Sequence, residues 1–319
     1  MAIVAAGCAR ESRPPADSAP APAPAPVATT GTADNRTPVH VRFENVHLHV
    51  GYGAVLEVRH LEGALLSTNA DRPPIFDDQR SFSLRVDTGQ IAMTPASLTA
   101  LLNGHVLAFE GSPMSDVEVS IEGGYLKQSG TLHKGVPIPF SMLAEISATS
   151  DGRVRLHPVK TKAAGIPSDG LMKAFGLELD DLVKSNRAHG IEIADDDLLL
   201  SPDRLLPAPA LKGHLTTIRI EGDRIVQEFG QPARGVTRKA RAGNYMQYRG
   251  GTLRFGKLTM SDTDMQLIDA DPHDAFDFSP AQYVRQLVAG YSKNTPEGGL
   301  RVYMPDYNEA SKADLKPAR

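Results

Sequence analysis

The chain has 319 residues, 41% hydrophobic and 23% charged, and its 34 basic and 38 acidic side chains leave a net charge of −4 at neutral pH. That balance excludes a polycationic nucleic-acid binder, and no apolar run approaches the roughly 18 residues that a membrane-spanning helix requires. With no Trp, 6% aromatics, 28 Gly and 24 Pro, the composition favours a turn-rich β protein over a helical bundle or a long coiled coil.

The single cysteine, Cys8, excludes an intramolecular disulfide framework and a multi-cysteine zinc site. The stretch Ile3-Val4-Ala5-Ala6-Gly7-Cys8 is apolar and ends in small residues before the cysteine, and it resembles the lipobox at which bacterial lipoproteins are cleaved and acylated. No Lys or Arg precedes Cys8, which predicts a longer leader upstream of Met1. Residues 9–37 alternate Ala and Pro (Ala19 to Pro26) and then run through small polar side chains. Such a segment buries no apolar surface, and its prolines hold it extended as a spacer. The resemblance implies a lipid-anchored protein of the bacterial envelope, with Ala9 after the cysteine directing it to the periplasmic face of the outer membrane.

From about Pro38 apolar residues alternate with polar ones at period two, the pattern of strands with one buried face. Val39, Val41 and Phe43 alternate with His40, Arg42 and Glu44; the parity then slips to Val46, Leu48 and Val50, which predicts a β-bulge. Phe82 to Val86 and Val117 to Ile121 repeat the alternation. The longest case is Val136, Ile138, Phe140, Met142, Ala144 and Ile146, about 36 Å at 3.3 Å per residue. Pro137 and Pro139 on its other parity cannot donate to a ladder and predict an edge strand. A Ser150-Asp151-Gly152 turn leads into Val154 and Leu156, and Glu221-Gly222-Asp223 joins Leu215–Ile220 to Ile225–Phe229. Leu253, Phe255, Leu258 and Met260 follow, with a parity slip at Gly256.

Three segments read as helices. Thr94-Pro95 supplies an N-cap and a first-turn proline for a helix running to Leu102 and closed by Asn103-Gly104. Leu171, Met172, Phe175, Leu179, Leu182 and Val183 recur at helical spacing after Ser168 or Asp169. A third opens at Ser279-Pro280, places Tyr283, Val284, Leu287 and Val288 on one stripe and stops at Gly290. The predicted class is therefore α+β and β-dominated: a long, strongly curved, mainly antiparallel sheet wrapped on one or two amphipathic helices. A curved sheet facing such a helix can leave an elongated apolar groove suited to a chain-like ligand, or the same residues can close as a dry core.

Ser129-Gly130-Thr131-Leu132-His133-Lys134-Gly135-Val136-Pro137-Ile138-Pro139-Phe140, then Ser150 to Leu156, then Ala164-Gly165-Ile166-Pro167 leading to the Leu171–Val183 stretch, together resemble the LmeA-like phospholipid-binding proteins, relatives of the tubular lipid-binding superfamily. The resemblance spans residues 38–230 and leaves 231–319 as a C-terminal extension expected to pack on the same domain. It implies a protein that holds acyl chains between sheet and helix, with no catalytic residue and no cofactor. The expected lipid-binding residues are Val136, Ile138, Phe140, Met142, Val154, Leu156, Leu171, Met172, Phe175 and Leu179.

Other chemistry is thin in the sequence, which has no nucleophile elbow, zincin motif, P-loop or dinucleotide fingerprint. His47 and His49 share a strand face without an evident third ligand, so no metal site is predicted. Asp269, Asp271, Asp274 and Asp277 lack the glycine and glutamate of a calcium loop and read as a solvated turn, as does Asp195-Asp196-Asp197. Between Glu228 and Asp262 there is no acidic residue, and Arg234, Arg238, Lys239 and Arg241 there are the candidate contacts for anionic lipid head groups, with Arg153 and Arg155 adding positive charge to one strand. The expected partners are a phospholipid or similar amphiphile and the membrane through acylated Cys8, with no nucleic acid. The alternative is a structural or protein-interaction module displayed on the Pro-rich stalk.

Overall fold

A computed structural model describes residues 37–112, 114–134, 136–164, 166–168, 190–194, 196–230 and 243–313. Strands β1 (Val39–Gly51), β2 (Ala54–Ser67) and β3 (Phe82–Met93) are followed by helix α1 (Pro95–Leu101), which runs on into a π-helical turn (Leu102–Val106). Strands β4 (Met114–Glu122), β5 (Tyr125–Lys134), β6 (Val136–Ala148) and β7 (Val154–Ala163) make a second meander, extended by β8 (Ile166–Ser168), β9 (Ile191–Ala194) and β10 (Asp197–Leu200). Helix α2 (Pro202–Leu205) leads to β11 (Ala210–Gly213) and the hairpin β12 (Leu215–Glu221) and β13 (Arg224–Phe229). The rest comprises β14 (Tyr245–Arg249), β15 (Thr252–Phe255), β16 (Leu258–Ser261), β17 (Asp264–Asp269), β18 (Phe276–Phe278), α3 (Tyr283–Ala289), β19 (Tyr291–Asn294), β20 (Leu300–Met304) and α4 (Tyr307–Ala313).

The protein is β-dominated, with a strongly curled antiparallel half-barrel and a few short helices, as the alternating pattern predicts. Eleven strands form one sheet, ordered β12-β13-β3-β2-β1-β14-β17-β20-β19, with β11 added beside β3 and β18 beside β1. Seven form another, ordered β4-β5-β6-β7-β10-β9 with β8 beside β7, and β15-β16 is a separate hairpin. Residues 245–304 thus continue the sheet that β1 begins: Val41 pairs with Tyr248 and Phe43 with Met246.

Local chemistry explains where the strands bend. The parity slip predicted in β1 falls at Asn45, whose φ is +51°. Strand β2 slips at the same level, so Glu44 still faces His60 and Val46 still faces Val58, and the register change appears one strand further on, between Val58 and His60 against β3. Two adjacent strands that step together turn a local bulge into a fold of the whole sheet. The slip at Gly256 has a different origin. Phe255 faces Leu258, so Gly256 at φ +58° is a turn residue of a two-residue hairpin loop, not a bulge.

The edge position predicted for the Pro137/Pro139 strand needs correction, because β6 lies inside its sheet between β5 and β7. Pro139 O accepts from Ala164 N–H on the β7 side, so the missing proline N–H faces that side too. The ladder to β7 begins only at Phe140, so apart from that one carbonyl bond Pro137 and Pro139 pair with β5 alone. The prolines mark the unpaired end of a central strand.

The helix at Thr94 forms as predicted, with Thr94 Oγ1 accepting from Ser97 N–H at 3.0 Å. The α-helical part ends at Leu101 with Leu102 as its cap, as predicted, but the chain runs on through Asn103-Gly104 as a π-helical turn whose Asn103 is held by β4: its Nδ2 donates to Val117 O at 2.6 Å and its Oδ1 accepts from Val117 N–H at 3.0 Å. The third helix ends at Gly290 as predicted but presents a different stripe. Gln286 is its fully buried residue, donating to Asp277 O and Pro305 O and accepting from Ser279 N–H, whereas Val284 and Val288 are 54% and 80% exposed. Three satisfied hydrogen bonds hold an amide inside where the pattern placed valines. The helix predicted over Leu171–Val183 lies outside the described residues.

Candidate functional site

The two sheets face one another across an apolar cavity of about 70 Å³. One wall comes from the β2-β3-β13-β12 end of the large sheet, including Leu56, Ile91, Ile218 and Ile225. The opposite wall comes from β4 to β7 and β10, including Val119, Leu126, Val154 and Leu156. Leu98, Leu101, Leu102 and Leu107 of α1 and the turn after it close one side, and α2, which abuts that turn, adds Leu205 beside Leu206. Leu98, Met114, Ile146, Leu198, Leu205 and Leu206 are only partly buried and form the accessible part of the lining.

This wall composition follows from the strand pattern. On β13, Ile225, Gln227 and Phe229 share one parity and face the cavity, and on β5 Leu126 and Gln128 do so. Gln128 and Gln227 are the two polar side chains among the described lining residues, and no Asp, Glu, Lys, Arg or His is among them. A lining of this kind disfavours any buried charge.

Of the predicted lipid-binding residues, Val154 and Leu156 line this cavity. Phe140 and Met142 are buried on the core face of β6 without reaching it, 5% and 2% exposed. Their apolar stripe continues toward the hairpin tip through half-buried Ile138 to Val136, which is 66% exposed. Leu171, Met172, Phe175 and Leu179 lie outside the described residues, as do Arg234, Arg238, Lys239, Arg241 and Cys8. Sequence reasoning did not single out Ile91, Leu126, Ile218 or Ile225 as site residues. Their inward parity was available in the sequence; which strands would face each other was not.

A second, smaller apolar cavity of about 60 Å³ lies among aromatic side chains, lined in part by Phe43, Phe76, Phe82, Tyr248 and Phe278. Phe76 organises it, with ring centroids 5.0 Å from Phe255, 5.2 Å from Tyr283, 5.8 Å from Tyr248 and 6.2 Å from Phe278. His49 reaches its rim, with Nε2 2.5 Å from Asp277 Oδ1 and the ring edge-on to Tyr307.

The aspartates read as a solvated turn divide into two kinds. Asp271 and Asp274 are exposed, but Asp269 and Asp277 are buried, 5% and 8% exposed. Asn244 donates to Asp269, Asn308 donates to Asp277, and Asp277 N–H donates to Asp306 Oδ1 at 2.8 Å. Burial, reinforced by the neighbouring carboxylates of Asp269, Asp274 and Asp277, pushes Asp306 up to about 7 against the bond it accepts from Asp277 N–H. Burial also raises Asp269, against the hydrogen bond from Asn244. No group of three or more His, Cys, Asp or Glu among the described residues is arranged to hold a metal ion.

The positive charge expected on the outer face of β7 is neutralised. Arg153 pairs with Asp151 at 2.7 Å and Glu192 at 2.8 Å, and Arg155 pairs with Asp197, which also contacts His157 at 2.7 Å. Although burial opposes it, these bonds hold the Asp197 carboxyl below its ordinary value. Asp197 is therefore an anchor for β7 rather than part of a solvated run. Comparison with known proteins yields no matching family model, curated relative or solved structure.

Proposed function

We propose that this protein binds a phospholipid or similar amphiphile without altering it chemically, holding the hydrocarbon part in the cavity between its two sheets. The observation that carries the reading is the lining itself: apolar side chains from both sheets and α1, with two carboxamides and no charged group among the described residues. Each methylene moved from water into such a lining contributes about 0.8 kcal/mol, so affinity needs no specific polar contact. The free space, about 70 Å³, takes a short hydrocarbon segment. A longer chain needs the wall to open, and the partly buried Leu198, Leu205 and Leu206 are the lining side chains least enclosed by the core. The lipobox-like stretch before Cys8 and the Ala-Pro spacer support a lipid-anchored location in the bacterial envelope, where such a ligand is abundant.

Native mass spectrometry of the full chain with Cys8→Ser, exported to a bacterial periplasm and purified without detergent, tests the proposal. A stoichiometric amphiphile on the folded protein is the expected result, and a bare polypeptide after gentle purification would overturn it.

A further inference from the structure

We propose that Gln128 and Gln227, one on each sheet, read an uncharged hydrogen-bonding group of the ligand, a carbonyl or hydroxyl set along an otherwise hydrocarbon body. The inference rests on the ligand-cavity reading above and adds what the cavity selects. Gln128 is 7% exposed and lies on the core face of β5, in the row Val119-Gln128-Met142. Gln227 lies on the cavity face of β13, in the row Ile218-Gln227-Ile91. Neither carboxamide makes a side-chain hydrogen bond to a described residue, and both line the cavity.

Gln128 is buried and Gln227 half-buried, and a carboxamide with no protein hydrogen bond gains less from an apolar wall than a leucine would. Two such groups on opposite walls of one cavity suit a guest that pairs with them. The chemistry of that guest follows from the donor set. A carboxamide both donates and accepts, so it matches an ester or amide carbonyl or an alcohol. No described lining residue carries a charge, so an ionised group entering this depth would be left without a counter-ion. The selected ligand is therefore neutral at the depth of the glutamines, with any charged head group remaining outside, as in a fatty-acyl ester.

Ligand-observed NMR titration of the full chain with three six-carbon probes, methyl pentanoate, hexane and hexanoate at pH 8, tests this in the wild type and in Gln128→Leu/Gln227→Leu. The ratio of the hexane Kd to the methyl pentanoate Kd is expected to fall about tenfold in the double variant, the loss of one to two hydrogen bonds, with hexanoate the weakest probe for the wild type. Hexane binding to both proteins with an unchanged ratio would overturn the role of the glutamines while leaving the cavity reading intact. No binding of any probe to the wild type would overturn both. Melting of the ligand-free chains gives an independent measure: Gln128→Leu is expected to raise Tm by about 2 °C, and a fall would show that the amide is structurally partnered and overturn the inference.

Discussion

Asn103 grips Val117 at two points, donating to its carbonyl at 2.6 Å and accepting from its N–H at 3.0 Å. The contact joins the π-helical turn to β4 and so fixes the leucines of α1 over the cavity. Asn103→Leu leaves both backbone groups of Val117 without that partner. It is expected to lower stability by about 1–3 kcal/mol, read as a lower denaturant midpoint at unchanged m.

Asp306 makes stability depend on pH. Its folded-state value of about 7 stands above the 3.8 of a free aspartate, so the folded protein holds this proton more tightly than the unfolded chain. By linkage, the contribution of this group is most favourable near pH 4 and declines as pH rises toward 7. Asp306→Asn keeps an oxygen for Asp277 N–H and removes the titration. Melting curves from pH 4 to 8 should show a flatter profile for the variant and a higher Tm than wild type at pH 8.

Phe76 lies between β2 and β3 and touches four aromatic rings. Backbone bonds at Phe76 N to Arg254 O and at Arg254 N to Pro74 O tie that connection to the β15-β16 hairpin. Phe76→Ala is expected to cost about 3–5 kcal/mol in chemical denaturation. The hairpin should also lose hydrogen-exchange protection around Arg254 in the same variant.

Leu198 is partly buried at the accessible part of the cavity, where a larger side chain obstructs entry without a clash in the deep core. Leu198→Trp is expected to weaken hexane binding at least about tenfold while Tm stays within a few degrees. Equal binding by a folded variant would place the entrance elsewhere.

Much of the fold is legible locally. The alternation from Val39 to Phe43, the slip at Asn45, the Thr94-Pro95 cap and the Gly290 stop each depend on neighbours within a few residues. What periodicity does not encode is pairing at a distance. Strand β1 takes β14 as a neighbour about 200 positions along the chain, and Asn45 Nδ2 donates to Asn244 Oδ1 at 2.8 Å. The same limit applies to the site: Val154 and Leu156 were identifiable from their own strand, whereas Ile91 and Ile225 join them only through the opposition of two sheets. Polar residues misled where burial is compensated. Gln286 and Asp277 are inside because of hydrogen bonds to groups contributed by other elements, which no local pattern announces.

The placement of β1 between β2 and β14 has a consequence for biosynthesis. When residue 230 leaves the ribosome, one side of the first strand from His40 to Glu44 still awaits its neighbour. A nascent polypeptide of that length exposes a bare backbone ladder, the feature that drives strands of separate molecules together. Completion of this sheet therefore waits for the strands after residue 243, and a gene fragment ending before Tyr245 should yield insoluble material.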